Sequence, residues 1–270
     1  MKRIFSKKFL KGLKIFLAIY ILAGAALYFF QEKLLFHPEK LPANYRFEFS
    51  VPFKQVDLPL DNKTNLSIVQ FTVPDSLNRG IVLYFHGNKG NINRYAPFAT
   101  HFTRNNYEVC MIDYPGFGKT NGDISVERMY SDASIMYRMA RSRYTPDSIV
   151  IYGKSIGTGI AAQLASVRDC KQLILETPYY STQSLSRRFF PIYPNLLKYE
   201  LETAAHFEKI NVPITILHGT NDWTVPYGES KKIVREYPKV NLVSLEGGKH
   251  NDLQNYPAFQ HAIDSLLEFQ

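Results

Sequence analysis

IVIYGKSIGTGIAAQL, residues 149–164, joins a β-branched apolar run to a string of small residues suited to a helix pressed against a sheet. Between them stands Gly153-Lys154-Ser155-Ile156-Gly157, a G-x-S-x-G pattern. Two readings compete. Either Ser155 is a nucleophile raised on a strained turn, or this is an ordinary strand-to-helix junction that happens to hold a serine. Five residues of such loose specification arise by chance, so the surroundings must decide.

Outward from this stretch the chain alternates. QVDLPL and LSIVQFTV read as a hairpin bridged by the turn-rich Asp61-Asn62-Lys63. Then GIVLYFHG, YEVCMID, DSIVIYG, KQLILET, VPITILHG and VNLVSLEG read as strands. Between them lie the helical patterns INRYAPFATHFTR, SVERMYSDASIMYRMAR, a segment after Ser155 to about Val167, one from about Tyr227, and a final helix. Apolar strands alternating with amphipathic helices predict an α/β fold, a mostly parallel sheet with helices on both faces. A chain of 270 residues fits one such core. Cys110 and Cys170 are expected in that core as small apolar residues.

In this context Ser155 follows a buried strand and opens a helix, the setting a nucleophile elbow requires. Sharp backbone angles at the serine force small neighbours, hence Gly153 and Gly157 as supporting turn. The helix N-terminus aims free N–H groups at the site. A serine needs a base, and the base an orienter. The expected chain order is Ser, acid, His. Asp222, past the strand in LHGTNDWTVP, and His250, past the next in LEGGKHND, supply it. Against this, Asp222 reads equally as a turn residue and His250 as a solvated loop histidine. Asp252 competes as the acid but lies two residues from His250 and is expected to cap the final helix. Three residues in order and context favour the catalytic reading. An oxyanion hole is expected from the N–H groups of Asn88 and Ile156, with His86 and Gly87 bracing the loop FHGNKGN.

The net charge of +8 is a feature of the N-terminus. Lys2, Arg3, Lys7, Lys8, Lys11 and Lys14 account for six of 32 basic residues, and the remaining 26 face 24 acids. No basic patch for nucleic acid is left. The tail runs into IFLAIYILAGAALYFF, residues 15–30, which carries no charge. That run is about 24 Å as a helix, short of a bilayer core of about 30 Å unless Lys11 and Lys14 snorkel. A cleaved signal peptide is the competing reading, although its one cleavage candidate, Ala23-Gly24-Ala25, lies inside the run. The expected organisation is a basic cytoplasmic tail (1–14), a transmembrane signal-anchor (15–30), a linker (31–54) and a catalytic domain (55–270) on the exported side.

These motifs together resemble the α/β-hydrolase superfamily over roughly residues 55–270. The resemblance is closest to membrane-anchored "abhydrolase domain" and serine aminopeptidase-like members. It rests on the anchor, QEKLLFHPEKLP, FHGNKGN, DYPGFGKTNGD, GKSIG, HGTNDWTVP and GGKHND. It implies an α/β-hydrolase fold with Ser155 as nucleophile, and a turn at Asp113, Gly116 and Gly118 packed beside the oxyanion loop. It places a small cap insertion at about 178–208. There Tyr179, Tyr180, Phe189, Phe190, Tyr193 and Tyr199 form either an acyl pocket and membrane-facing entrance or plain core cover. The expected activity is hydrolysis of carboxylic esters or thioesters, with a small acyl-containing or peptide substrate. An aminopeptidase would need acidic residues for the substrate amine, with Glu200, Glu202 and Glu208 as candidates. A catalytically silent binding scaffold is the reading from another class. No cofactor is expected, and no His/Cys/Asp spacing matches a metal site.

Overall fold

The computed structural model describes residues 7–189, 191–193 and 196–268. Lys2 and Arg3 of the basic tail and Phe190 of the insertion lie outside the described residues.

Eight strands form one sheet: β1 Phe53–Pro59, β2 Asn65–Phe71, β3 Gly80–Phe85, β4 Tyr107–Ile112, β5 Ile149–Lys154, β6 Gln172–Glu176, β7 Ile214–Gly219 and β8 Asn241–Leu245. Their spatial order is β8-β7-β6-β5-β3-β4-β2-β1. The β1–β2 and β2–β4 pairings are antiparallel; all others are parallel. Asp61 closes the β1–β2 hairpin by accepting the N–H groups of Lys63 and Thr64 at 2.7 and 2.9 Å.

Six longer helices accompany the sheet: α1 Lys7–Leu35, α2 Val126–Arg141, α3 Gly157–Val167, α4 Thr182–Phe189, α5 Tyr227–Glu236 and α6 Pro257–Leu267. Each central strand is buried on both sides, because successive side chains point to opposite faces. In β3, Ile81, Leu83 and Phe85 join the core beneath α2, α3 and α5. Val82 and Tyr84 join the core beneath α6 and residues 92–103. The expected helix INRYAPFATHFTR is broken into short turns, with a 3-10 segment at Ala96–Ala99 and Pro97 near its start. Proline's missing N–H accounts for the break. Cys110 and Cys170 are free and buried in the first of these cores.

α1 extends past the uncharged run at both ends. Its 29 residues give about 44 Å, enough to cross a bilayer. It is the one helix among the described residues long and apolar enough to do so. Residues 36–41 then strap across the loops that follow β3 and β4. His37–Pro38 pairs in parallel with Lys89–Gly90, and the Leu41 N–H donates to Gly118 O. Phe36 is 2% exposed, so the chain leaving α1 enters the core at once.

Candidate active site

The chain order reverses around β3, and loops leaving the C-terminal ends of β3, β5, β7 and β8 converge there, the position where open α/β sheets bind ligands. Ser155 occupies the turn between β5 and α3 with φ +53°, a left-handed conformation that L-residues adopt at a cost. It is held there by its own N–H donating to Glu176 O at 2.9 Å, and by its carbonyl accepting the Thr158 N–H and hydroxyl. Two glycines permit the turn. A Cβ on Gly153 would lie 2.6 Å from Gly157 O and 2.8 Å from the Ala161 Cβ. A Cβ on Gly157 would run into the Phe85 carbonyl of β3. Gly157→Ala is therefore expected to lower stability by about 1–3 kcal/mol, read as a lower urea midpoint with unchanged slope.

Ser155, His250 and Asp222 form a hydrogen-bonded chain. His250 Nε2 lies 3.0 Å from Ser155 Oγ, and its Nδ1 lies 2.7 Å from Asp222 Oδ2. All three are at most 8% exposed. Asp222 Oδ1 is used separately, accepting the N–H groups of Thr224 and Val225 at 2.8 and 2.9 Å. Burial by itself would raise the Asp222 pKa. The hydrogen bonds from His218, His250 and Val225 outweigh it and hold the carboxyl well below the usual carboxylate range. Asp252 stands apart. Its Oδ1 accepts the Lys249 N–H at 2.7 Å, closing the turn that carries His250. The expectation that it caps the final helix fails. α6 begins only at Pro257, whose fixed φ and absent N–H suit a first helical position, and Tyr256 precedes it.

Asn88 and Ile156 both line the cavity beside Ser155. The Asn88 carbonyl accepts the His37 N–H at 2.8 Å, and its side-chain amide donates to Leu35 O at 2.6 Å. The end of α1 and the strap thus set the conformation of this loop. A Cβ on Gly87 would come 3.7 Å from the Ser155 Cβ. His86 does not reach the serine. Its ring stacks on Tyr95, with Nδ1 2.7 Å from Gly87 O and Nε2 3.6 Å from Asp113 Oδ1. Asp113 accepts the Ile92 N–H at 2.9 Å, and Gly118 N–H donates to Glu39 O at 3.0 Å. The 113–120 turn accordingly packs beside the FHGNKGN loop.

Two groups near the site escaped the sequence reading. His218, fully buried at the end of β7, lies 3.4 Å from Asp222 Oδ2 through Nε2, with its Nδ1 2.6 Å from Ser230 Oγ. Its spacing of four from Asp222 is the signal that was available. Lys154 and Glu176 are register partners on β5 and β6 and form a buried ion pair behind the serine. Tyr152 OH donates to the same carboxylate. A lysine and a glutamate ending adjacent apolar strands are visible in sequence, but their pairing needs the strand order.

Above Ser155 is a cavity of about 480 Å³. Its walls come from α1, α4 and the 223–225 loop. Tyr179, Phe189 and Tyr193 line it; Tyr180 and Tyr199 do not. Tyr180 bonds instead to Glu236, and Tyr199 to Glu32. Among the described residues no acidic side chain lines the cavity, and Glu200, Glu202 and Glu208 all lie elsewhere.

The family of serine aminopeptidases S33 matches residues 76–200. "Alpha/beta hydrolase domain-containing protein 17C" of Xenopus tropicalis is 28% identical over 203 residues, covering 72% of this chain. The mouse protein of that name is 26% identical over 220 residues, covering 78% of this chain and 65% of its own length. The chain spans only 63% of the Xenopus relative. In structure it is similar to the esterase Pf2001 of Pyrococcus furiosus, with TM-score 0.67 and 18% identity. That alignment covers 86% of this chain and 96% of the esterase. With its sheet order, its serine turn and these similarities, the chain has the α/β-hydrolase fold.

Proposed function

We propose that the chain is a membrane-anchored serine hydrolase that cleaves carboxylic esters or thioesters through an acyl-enzyme. The observation that carries this is the Asp222–His250–Ser155 hydrogen-bond chain ending at the floor of an apolar cavity. Ser155 Oγ attacks the acyl carbonyl as His250 Nε2 takes its proton. The oxyanion receives the Asn88 and Ile156 N–H groups. The leaving alcohol or thiol departs with the proton held by His250. Water then attacks the acyl-enzyme, His250 again acting as base, and the acid is released. Asp222, kept ionised by its buried hydrogen bonds, orients the imidazole and stabilises its charged form.

A peptidase of the same fold is the alternative. Binding a free amino terminus calls for a carboxylate near the nucleophile, and the absence of one among the described cavity residues favours the ester reading. Two measurements test the proposal. A fluorophosphonate adduct should map to Ser155, which a silent scaffold would not form. p-Nitrophenyl esters should be hydrolysed in preference to amino-acid p-nitroanilides, and the reverse preference would return the peptidase.

The anchor is uncleaved, with the basic tail cytoplasmic and the catalytic body exported. The protein should resist carbonate extraction, and a C-terminal alkaline phosphatase fusion, active only when exported, should be active. An inactive fusion would invert the orientation. Carbonate release with a mature N-terminus near Ala26 would replace the anchor by a cleaved signal peptide.

A further inference from the structure

α1 builds part of the cavity over Ser155. Leu27, Gln31, Leu34 and Leu35 form one wall, facing Phe189 of α4 and Trp223. The volume is that of a small-molecule site, and its lining is largely apolar away from the Ser155 end. Gln31 is the one polar side chain that α1 contributes to the lining, and the protein uses its polar atoms. Its amide N–H₂ donates to Tyr28 O and Leu196 O, and its Oε1 accepts the Lys198 N–H at 2.6 Å.

The depth of these contacts is informative. Tyr20 stacks on Tyr193 at 4.7 Å between ring centroids. Its OH donates to Ile192 O, and Tyr193 OH donates back to Tyr20 O. Gly24, one turn on, is buried against the Tyr193 ring. Tyr20 lies ten residues before Phe30, where the uncharged run ends. That is about 15 Å along the helix, half of a hydrocarbon core of about 30 Å. If the uncharged run spans the bilayer, the insertion around Ile192 and Tyr193 sits within a leaflet. Irregular backbone is tolerated there only when its polar groups are satisfied by protein. Tyr20 and Gln31 of α1 satisfy the carbonyls of Ile192 and Leu196.

The surface agrees with this placement. Outside α1, seven large apolar side chains are exposed among the described residues. Phe189, Leu196 and Trp223 are three of them, and all three line the cavity. Ile192, a fourth, lies on the insertion beside α1.

We infer that the cavity opens sideways to lipid, with α1 as its acyl-chain wall, and that the substrate is a membrane-resident long-chain fatty acyl ester or thioester. Its carbonyl sits at Ser155 and its chain runs along Leu34, Leu35 and Leu27. This rests on Ser155 as the nucleophile.

The test uses the full chain in phosphatidylcholine vesicles. Trp223 is the sole tryptophan, and its fluorescence should be strongly quenched by lipids brominated on the acyl chain. Emission unaffected by bromination would overturn the lipid-facing mouth. With p-nitrophenyl esters of increasing acyl length, kcat/KM should rise about fourfold per added methylene, the worth of one buried CH₂, until the cavity is full. Leu27→Trp, filling the cavity from α1, should lower the long-to-short kcat/KM ratio by about sixteenfold or more, what two buried methylenes are worth. A flat chain-length profile in a wild-type protein that still hydrolyses esters, or a ratio unmoved by Leu27→Trp, would overturn the acyl wall. Fatty acid released from diacylglycerol or from an S-acylated membrane peptide would support the inference and identify the carrier; release from neither would overturn it. Failure of a fluorophosphonate to label Ser155 in the same vesicles would remove the nucleophile itself, and this inference with it.

Discussion

Ser155→Ala is expected to lower kcat by about 10⁶-fold and to abolish fluorophosphonate labelling, while leaving the urea midpoint close to wild type. The magnitude is that of removing a serine nucleophile whose base and orienter stay in place, because such residues act as a unit. His250 Nε2 loses its hydrogen-bond partner at 3.0 Å and is left with only water to activate. Alanine tolerates the φ of +53° no better than serine, and the bonds that hold the turn run through the backbone. A small stability change with a very large rate change is the signature to measure. Labelling that survives the substitution would move the nucleophile elsewhere.

Asp222→Asn is expected to cost about 10⁴-fold in kcat with the fold retained. The wild-type carboxylate accepts from His250 through one oxygen and from two backbone N–H groups through the other. An asparagine amide can present an N–H to His250 Nδ1, which selects the wrong tautomer and leaves Nε2 without its basic lone pair. The effect on stability has a definite sign. The folded pKa of Asp222 is depressed, so its contribution is present above the ordinary carboxylate range and fades as pH falls through the folded value. Wild type and Asp222→Asn should therefore differ most in urea midpoint near neutral pH and converge in acid. Asp252→Asn is the control, since among the described residues its carboxylate accepts the Lys249 N–H and does not bond to His250. Wild-type turnover in Asp222→Asn, with collapse in Asp252→Asn, would exchange the two acids.

Much of this architecture is legible from local pattern. Ile149–Tyr152 reads as a buried strand because it is apolar and β-branched, and Gly153 and Gly157 announce a tight turn because larger residues could not occupy it. Asp222 and His250 are noticeable because each lies on the loop shortly after a strand. Pro97 also carried a readable signal, since a proline interrupts a helical pattern. The misreading of Asp252 has a different source. A carboxylate before an amphipathic run looks like a cap, yet the backbone of the 249–252 turn competes for it and wins.

By itself, then, the sequence determined the alternation of strands and helices, the serine turn, and the order in which serine, acid and histidine occur. Period and backbone preference are properties of neighbouring residues, and neighbours are what a sequence displays. Only the tertiary structure decided that His218 shares the Asp222 carboxylate, that Lys154 pairs with Glu176, and that residues 36–41 strap the loop holding Asn88. It likewise decided that α1 walls the cavity above Ser155. Apart from the His218–Asp222 pair, four residues apart, these contacts join segments distant in sequence, up to more than 160 residues, so they exist only once the strand order and the path of the chain across the sheet are set.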